Sequence, residues 1–141
     1  MSYINECPIR VYIEDTDAGG IVFYANYLRF MERGRTEWLR DLNLQQGSLL
    51  AHGVQLVVSR LNCRYLKPAM LDDLLTVITS VSACQRTRIT FTQRVLKSGQ
   101  CVCEGQVEVA CINAETQRPM RLPDNIQKII GCVKDVESQE L

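Results

Sequence analysis

Apolar residues recur along the chain with two periods, and the places where the period changes divide it into elements. From Cys7 to Glu14, Ile9, Val11 and Ile13 fall on one face and Arg10, Tyr12 and Glu14 on the other, the alternation of a strand. Asp15 to Gly20 (DTDAGG) is a polar, glycine-rich break and reads as a turn or loop. Between Asn26 and about Leu42 the spacing lengthens. Tyr27, Met31, Gly34, Trp38 and Leu42 recur every three or four positions, while Arg29, Glu32, Arg33, Glu37, Arg40 and Asp41 fill the other side. This spacing predicts an amphipathic helix of about four to five turns. Gly34 in its middle costs about 1 kcal/mol relative to alanine, which points to a close backbone approach there. Phe30 and Trp38 read as core or interface packing, and Glu32 with Arg35 as a surface ion pair.

After Gly47 and Gly53 the period shortens to two. Leu61, Cys63 and Tyr65 alternate with Arg60, Asn62 and Arg64, and Leu75, Val77, Thr79 and Val81 follow the Lys67-Pro68 break. Ile89 and Phe91 alternate with Arg88, Thr90 and Thr92. Beyond Ser98-Gly99, Cys103, Gly105, Val107, Val109 and Cys111 alternate with Glu104, Gln106 and Glu108. Runs of about ten residues are about twice the usual strand length, and joined by short turns they predict a twisted antiparallel meander. Pro123 to about Val133 reads as a short closing helix and residues 134–141 as a frayed polar tail, leaving a single domain over residues 1–133. The fold class is α+β: one helix has to cover five strands, so the sheet is expected to wrap around it. Such a sheet leaves a long edge that a second copy can pair with, so a homo-oligomer is expected.

The length, 141 residues, suits one domain with a proper core. Sixteen basic and sixteen acidic side chains cancel, which argues against a nucleic-acid partner and against a polybasic membrane anchor. Hydrophobic residues at 46% and charged residues at 23% are globular averages and exclude disordered and fibrous classes. No apolar run approaches the roughly 18–20 residues of a membrane span, and Met1 to Glu6 lacks the order of a signal peptide, so a cytoplasmic protein is expected. The cysteines Cys7, Cys63, Cys84, Cys101, Cys103, Cys111 and Cys132 are odd in number and lack C-x-x-C spacing. They read as small buried hydrophobes with reduced thiols, and Cys101 and Cys103, on one strand face, as no zinc clamp. Neither a metal nor a cofactor is expected. The single histidine, His52, lies in a polar loop and reads as a surface or capping residue, so histidine-dependent hydrolase mechanisms drop out.

Unusual residues concentrate between Asp15 and Tyr27, where a strand end meets the start of the long helix. The first turn of a helix exposes unpaired N–H groups and the positive end of its dipole. A carbonyl oxygen gaining negative charge is stabilised there, and a nearby carboxylate can attack a carbonyl or activate water. Amide and alkyl ester leaving groups are strongly basic and commonly need histidine as proton donor. A thiolate is far less basic, with the cysteine thiol pKa of about 8.5 as guide, so a thioester suits so sparse a site. The same aspartates serve equally well as helix caps or turn formers, and the paired glycines as a tight turn alone.

The stretch VYIEDTDAGGIVFYANYLRFMERGRTEWL, Val11 to Leu39, closely resembles the signature of hot-dog-fold acyl-CoA thioesterases of the 4-hydroxybenzoyl-CoA thioesterase type. It is most similar to the Tol–Pal-associated branch. Val57-Val58, Lys67-Pro68-Ala69, Leu71-Asp72-Asp73 and Phe91-Thr92-Gln93-Arg94 extend the likeness over most of the chain. The resemblance implies a long central helix wrapped by a five-stranded antiparallel sheet, and hydrolysis of an acyl-CoA to a carboxylic acid and free coenzyme A. Asp17 matches the family's catalytic carboxylate, acting as nucleophile or general base. Tyr24 matches the position whose backbone N–H polarises the thioester carbonyl, and Gly19 and Gly20 match the turn that brings loop and substrate together. Many members of the Tol–Pal branch carry histidine at the position of Tyr24, whereas the hydroxybenzoyl branch carries tyrosine.

Coenzyme A carries phosphates, so Lys67, Arg86 and Arg88 are candidate contacts, the alternative for each being a solvated surface charge. Ser59 and Arg60 lie on the strand that borders the pocket across the dimer interface in this family. The implied partners are an acyl-CoA substrate and a second copy in a homodimer or homotetramer, with acyl carrier protein or Tol–Pal-linked proteins as further candidates. A hot-dog dehydratase or hydratase would need a pocket histidine that DTDAGG does not offer. The remaining rival is a module that binds acyl carrier protein or an envelope complex, with weak residual hydrolysis.

Overall fold

A computed structural model describes residues 3–124, 126–128 and 130. The elements run β1 (Asn5–Arg10), a 3-10 turn (Ile13–Asp15), α1 (Asn26–Asp41), α2 (Gln46–Ala51), β2 (Val54–Tyr65), β3 (Leu74–Cys84), β4 (Arg88–Lys97) and β5 (Gln100–Asn113). The five strands form one sheet in the order β1-β3-β4-β5-β2, with every neighbouring pair antiparallel. The sheet wraps α1 as expected. The predicted positions Leu75, Val77, Thr79 and Val81 of β3, Ile89 and Phe91 of β4, and Cys103, Val107, Val109 and Cys111 of β5 are all buried, and Val95 of β4 joins them. Against them α1 sets Tyr27, Phe30, Met31, Trp38 and Leu39, with Trp38 meeting Phe91 edge to face at 5.3 Å.

Gly34 is where helix and sheet come closest. A Cβ on Gly34 would lie 2.7 Å from Thr79 Oγ1 and Val77 Cγ1 and 3.0 Å from Gln93 Nε2, so only a bare backbone fits. Beside it Gln93, fully buried, donates from Nε2 to Met31 O at 2.8 Å and to Thr79 Oγ1 at 2.9 Å. Its Oε1 accepts from Arg35 Nη1 at 3.0 Å. Arg35 is therefore an inward residue and makes no surface pair with Glu32. Its place on α1, one turn from Met31 and next to Gly34, turns it toward the sheet, where Gln93 supplies an acceptor. The exposed pair on α1 is Glu37 with Arg40.

The other differences from the expected pattern have local causes. The first strand ends at Arg10, because the Tyr12 N–H bonds Asp15 Oδ2 at 2.8 Å and starts a 3-10 turn, which leaves Ile13 76% exposed. The meander holds for β3, β4 and β5 but does not include β2. β1 occupies the free edge of β3, from Asn5↔Thr79 to Arg10↔Leu74, so β2 takes the opposite edge beside β5. The short α2 adds Leu49 to the core, and His52 closes it with Nδ1 2.8 Å from Ser48 O, the surface capping role expected of it. Of the six described cysteines only Cys103 and Cys111 are fully buried, Cys7, Cys63, Cys84 and Cys101 being half-buried, and Cys132 lies outside the described residues. Of the expected closing helix, residues 124, 126–128 and 130 are helical and Ile126 and Ile130 are buried; its remainder and the tail lie outside the described residues. No described helix is long and apolar enough to cross a membrane.

Gly34→Ala separates helix propensity from packing. Propensity alone would stabilise the protein by about 1 kcal/mol, whereas overpacking costs about 1–3 kcal/mol. Urea denaturation should show net destabilisation; a gain would mean that α1 does not press on β3 as described.

Candidate active site

The segment between β1 and α1 is a hairpin-like loop tied down at both ends. Thr16 bridges Val22, the Asp17 N–H bonds Ile21 O at 2.9 Å, and the Gly20 N–H bonds Asp17 O at 3.0 Å. Gly20 sits at φ +80°, a conformation that favours glycine. Asp17 Oδ1 accepts the Gly19 N–H at 2.8 Å, and a Cβ on Gly19 would stand 3.3 Å from that oxygen. The turn thus holds one carboxylate oxygen. The other, Oδ2, has no protein partner among the described residues, and Asp17 is exposed.

Beneath the loop, Asp15 O accepts from the Phe23 N–H at 2.9 Å and from Asn26 Nδ2 at 3.0 Å, which joins the loop to the first residue of α1. Val22 donates to Ala69 O at 2.8 Å, while the Ala69 N–H reaches Tyr27 Oη at 3.1 Å, so the turn before β3 clamps the same region. That turn is braced by Asp73, whose Oδ2 accepts the Met70 N–H and pairs with Lys97 Nζ, both at 2.8 Å. Lys97 holds the Asp73 carboxyl below the usual carboxylate range.

At the start of α1 the cap position is Ala25, in helical conformation and with no side-chain cap. The Asn26 and Leu28 N–H groups bond Phe23 O and Ala25 O. The Tyr24 and Ala25 N–H groups meet no acceptor among the described residues. An uncapped helix start of this kind directs donors and positive potential outward, as a developing oxyanion requires. The exposed Tyr24 ring lies 4.8 Å from Phe23 and 6.1 Å from Tyr65, and Tyr65 lies 5.6 Å from Tyr27. Burial, then the neighbouring Cys63 thiol, push the Tyr65 phenol up to about 12, so it stays a neutral donor at ordinary pH. The family resemblance singles out Asp17 and Tyr24 but not Tyr65, Asn26 or Asp73; for Asp73 the signal available was the Leu71-Asp72-Asp73 turn.

The expected substrate contacts divide into two groups. Gly19 and Gly20 form the Asp17 turn, and Lys67 lies at the same end of the sheet, its N–H bonded to Val102 O. Ser59, Arg60 and Arg88 gather elsewhere around Glu108 on the outer face. Ser59 Oγ reaches Glu108 O at 3.2 Å, Arg60 pairs across the strands with Glu108, and Arg88 Nη1 meets Glu108 Oε1 at 2.8 Å. Arg88 accordingly holds the Glu108 carboxyl below its usual range. Arg86 is exposed in the turn between β3 and β4. Arg88 pairs with Ala110, so at about 3.4 Å per residue roughly 27 Å of β5 separates it from the Lys67 contact at Val102. One protomer does not bring these cations to Asp17. No group of three or more His, Cys, Asp or Glu side chains among the described residues could hold a metal ion.

A sheet wrapped around one long helix, with a glycine-bearing aspartate turn at the helix start, is the hot-dog fold of the thioesterase kind. The chain belongs to the Thioesterase-like superfamily, whose sequence profile it matches over residues 11–130. It is 43% identical over 128 residues to the acyl-CoA thioesterase YbgC of Haemophilus influenzae, covering 90% of this chain and 94% of that one. Among solved structures, a probable thioesterase from Bartonella henselae matches with a TM-score of 0.81 at 38% identity, over 86% of this chain and all of the other. A DHNA-CoA thioesterase from Staphylococcus aureus matches with a TM-score of 0.94, over 98% of this chain and 95% of the other; at 21% identity that likeness concerns the fold.

The depressed Asp73 carboxyl has a definite pH signature. A carboxylate whose folded pKa lies below its unfolded value of about 3.9 stabilises in full above that value and loses its effect as pH falls through the folded pKa. The stability difference between wild type and Asp73→Asn, from thermal unfolding against pH, should be constant above about pH 5 and shrink below about pH 4. A difference that persists unchanged into acid would show that the Lys97 contact does not set it.

Proposed function

We propose that the protein hydrolyses acyl-CoA thioesters to a carboxylic acid and free coenzyme A, with Asp17 as the reacting carboxylate and the Tyr24 backbone N–H as donor to the thioester carbonyl. The observation that carries this reading is the pairing of a carboxylate with one oxygen free and a helix start with unsatisfied N–H groups, joined by the Asp15 contacts. Asp17 either adds to the carbonyl carbon or removes a proton from an attacking water. In both routes negative charge builds on the carbonyl oxygen, where the helix start stabilises it, and the carbon–sulfur bond then breaks to release a thiolate, which takes up the proton that the water gives up. In the first route the acyl group stays on Asp17 as a mixed anhydride until water hydrolyses it. No histidine is required at any step. The name carried by the Haemophilus influenzae relative agrees with this substrate class.

The outer edge of β2 supports a subunit-spanning site. β2 pairs only with β5 among the described strands, and Val58, Leu61 and Tyr65 along it are exposed. A second copy pairing along that edge about a two-fold axis sets its Val54 end beside this copy's Tyr65 end. That arrangement carries the partner subunit's Arg86 and Arg88 toward this copy's Asp17 loop and Lys67, where coenzyme phosphates would meet cations from both chains. The active unit is then a homodimer, alone or doubled to a tetramer. Free thiols at Cys7, Cys63, Cys101, Cys103 and Cys111 fit a reducing cytoplasmic setting.

Asp17→Asn should lower kcat for acyl-CoA hydrolysis by about 10²–10⁴, followed by thiol release, with an unchanged unfolding transition. Retained turnover would remove Asp17 from the mechanism. Leu61→Lys, a charge on the free edge, should give a monomer by light scattering together with loss of hydrolysis. A fully active monomer would place the whole site within one chain.

A further inference from the structure

Arg35, on the third turn of α1, is 9% exposed and faces the sheet. Its hydrogen bond runs from Nη1 to the neutral Gln93, which Met31 O and Thr79 Oγ1 hold in turn. Among the described residues no carboxylate lies within ion-pair distance of it; Glu32, one turn back, acts only through space. A guanidinium offers five N–H donors and keeps its charge inside a protein. Gln93 takes one of these donors and Glu32 offsets the charge only through space, so the buried guanidinium keeps donors for a further anion.

The same guanidinium lines a cavity of about 260 Å³ between α1 and β2, with Leu39, Val57, Phe91 and Val109 as apolar walls and Glu32 also lining it. A planar fork of donors matches a carboxylate two bonds at a time, and apolar walls match methylenes. Gln93 holds the fork by one nitrogen, which fixes its direction and leaves the remaining donors free. Nine residues separate Arg35 from Asn26, roughly 13 Å of helix rise, about the length of an extended acyl chain of ten to twelve carbons.

We propose that this cavity receives the far end of the acyl group and that Arg35 binds a carboxylate there, so that the favoured thioesters are those of dicarboxylic acids. The inference rests on the thioesterase reading above and names its substrate class.

The test compares sebacyl- and dodecanedioyl-CoA with decanoyl- and dodecanoyl-CoA in the intact protein, and measures separately whether free adipate raises the melting temperature. The ratio of kcat/KM for diacid over monoacid should exceed one for at least one matched pair. It should fall at least about tenfold in Arg35→Met, and the adipate stabilisation should vanish. Arg35→Lys keeps the charge without the fork and should lose part of the ratio; it serves if the methionine variant fails to fold. If no thioester is cleaved but adipate stabilises the wild type and not Arg35→Met, the thioesterase reading fails and the carboxylate site stands. Ratios at or below one for every pair, or a ratio and adipate shift untouched by Arg35→Met, overturn the proposal. Dissociation of the oligomer in Arg35→Met with both readouts unchanged also overturns it, and assigns the further anion to a carboxylate of a second copy.

Discussion

The contact between the bare backbone of Gly34 and the side chains of Val77, Thr79 and Gln93 sets how deep α1 lies in the sheet. A helix with any side chain at that position would ride higher. Trp38 would then lose its edge contact with Phe91, and the Gln93 amide its reach to Met31 O. The apolar cores on either side of Gly34, one around Trp38 and Phe91 and the other around Tyr27, Phe30 and Val95, depend on the same depth. So does the position of the helix start, since α1 is one rigid element from Asn26 to Asp41.

The chemistry follows from where that start is held. β1 ends at Arg10 and α1 begins at Asn26, and the chain between them closes on itself through Asp15 O and the Asp17–Gly20 turn. No capping side chain occupies the helix start, which leaves the Tyr24 and Ala25 N–H groups without an acceptor among the described residues, on the same loop as an aspartate with one free oxygen. A capped helix would be more stable by roughly 1 kcal/mol and would have fewer donors to offer a substrate. A missing cap at a functional position is the kind of local exception that otherwise consistent sequences keep.

Much of this was legible in the amino-acid order. The period of the helix, the inward residues of β3, β4 and β5, the close approach at Gly34 and the Asp17 turn all follow from spacing and residue type, because each is a local property. The place of β2 was not legible, since strand order depends on which edge β1 takes, a contact between residues 5–10 and 74–79. Arg35 was misread for a related reason. An arginine three residues after a glutamate looks like a surface pair, and only the facing Gln93, 58 positions away, turns it inward. Ile13 was expected on the core face because alternation continues through it, and one side-chain bond from Asp15 to the Tyr12 N–H breaks the strand first. The aromatic floor of Tyr27 and Tyr65 joins residues from α1 and β2 that nothing in their own segments connects.

The most direct measurement is a crystal structure of the protein with a non-hydrolysable acyl-CoA analogue that keeps the carbonyl. The carbonyl oxygen should lie within hydrogen-bond distance, about 2.7–3.2 Å, of the Tyr24 N–H, with the Asp17 carboxylate facing the carbonyl carbon. A carbonyl bound away from the start of α1, or one whose carbon Asp17 does not face, would contradict the assignment of the site.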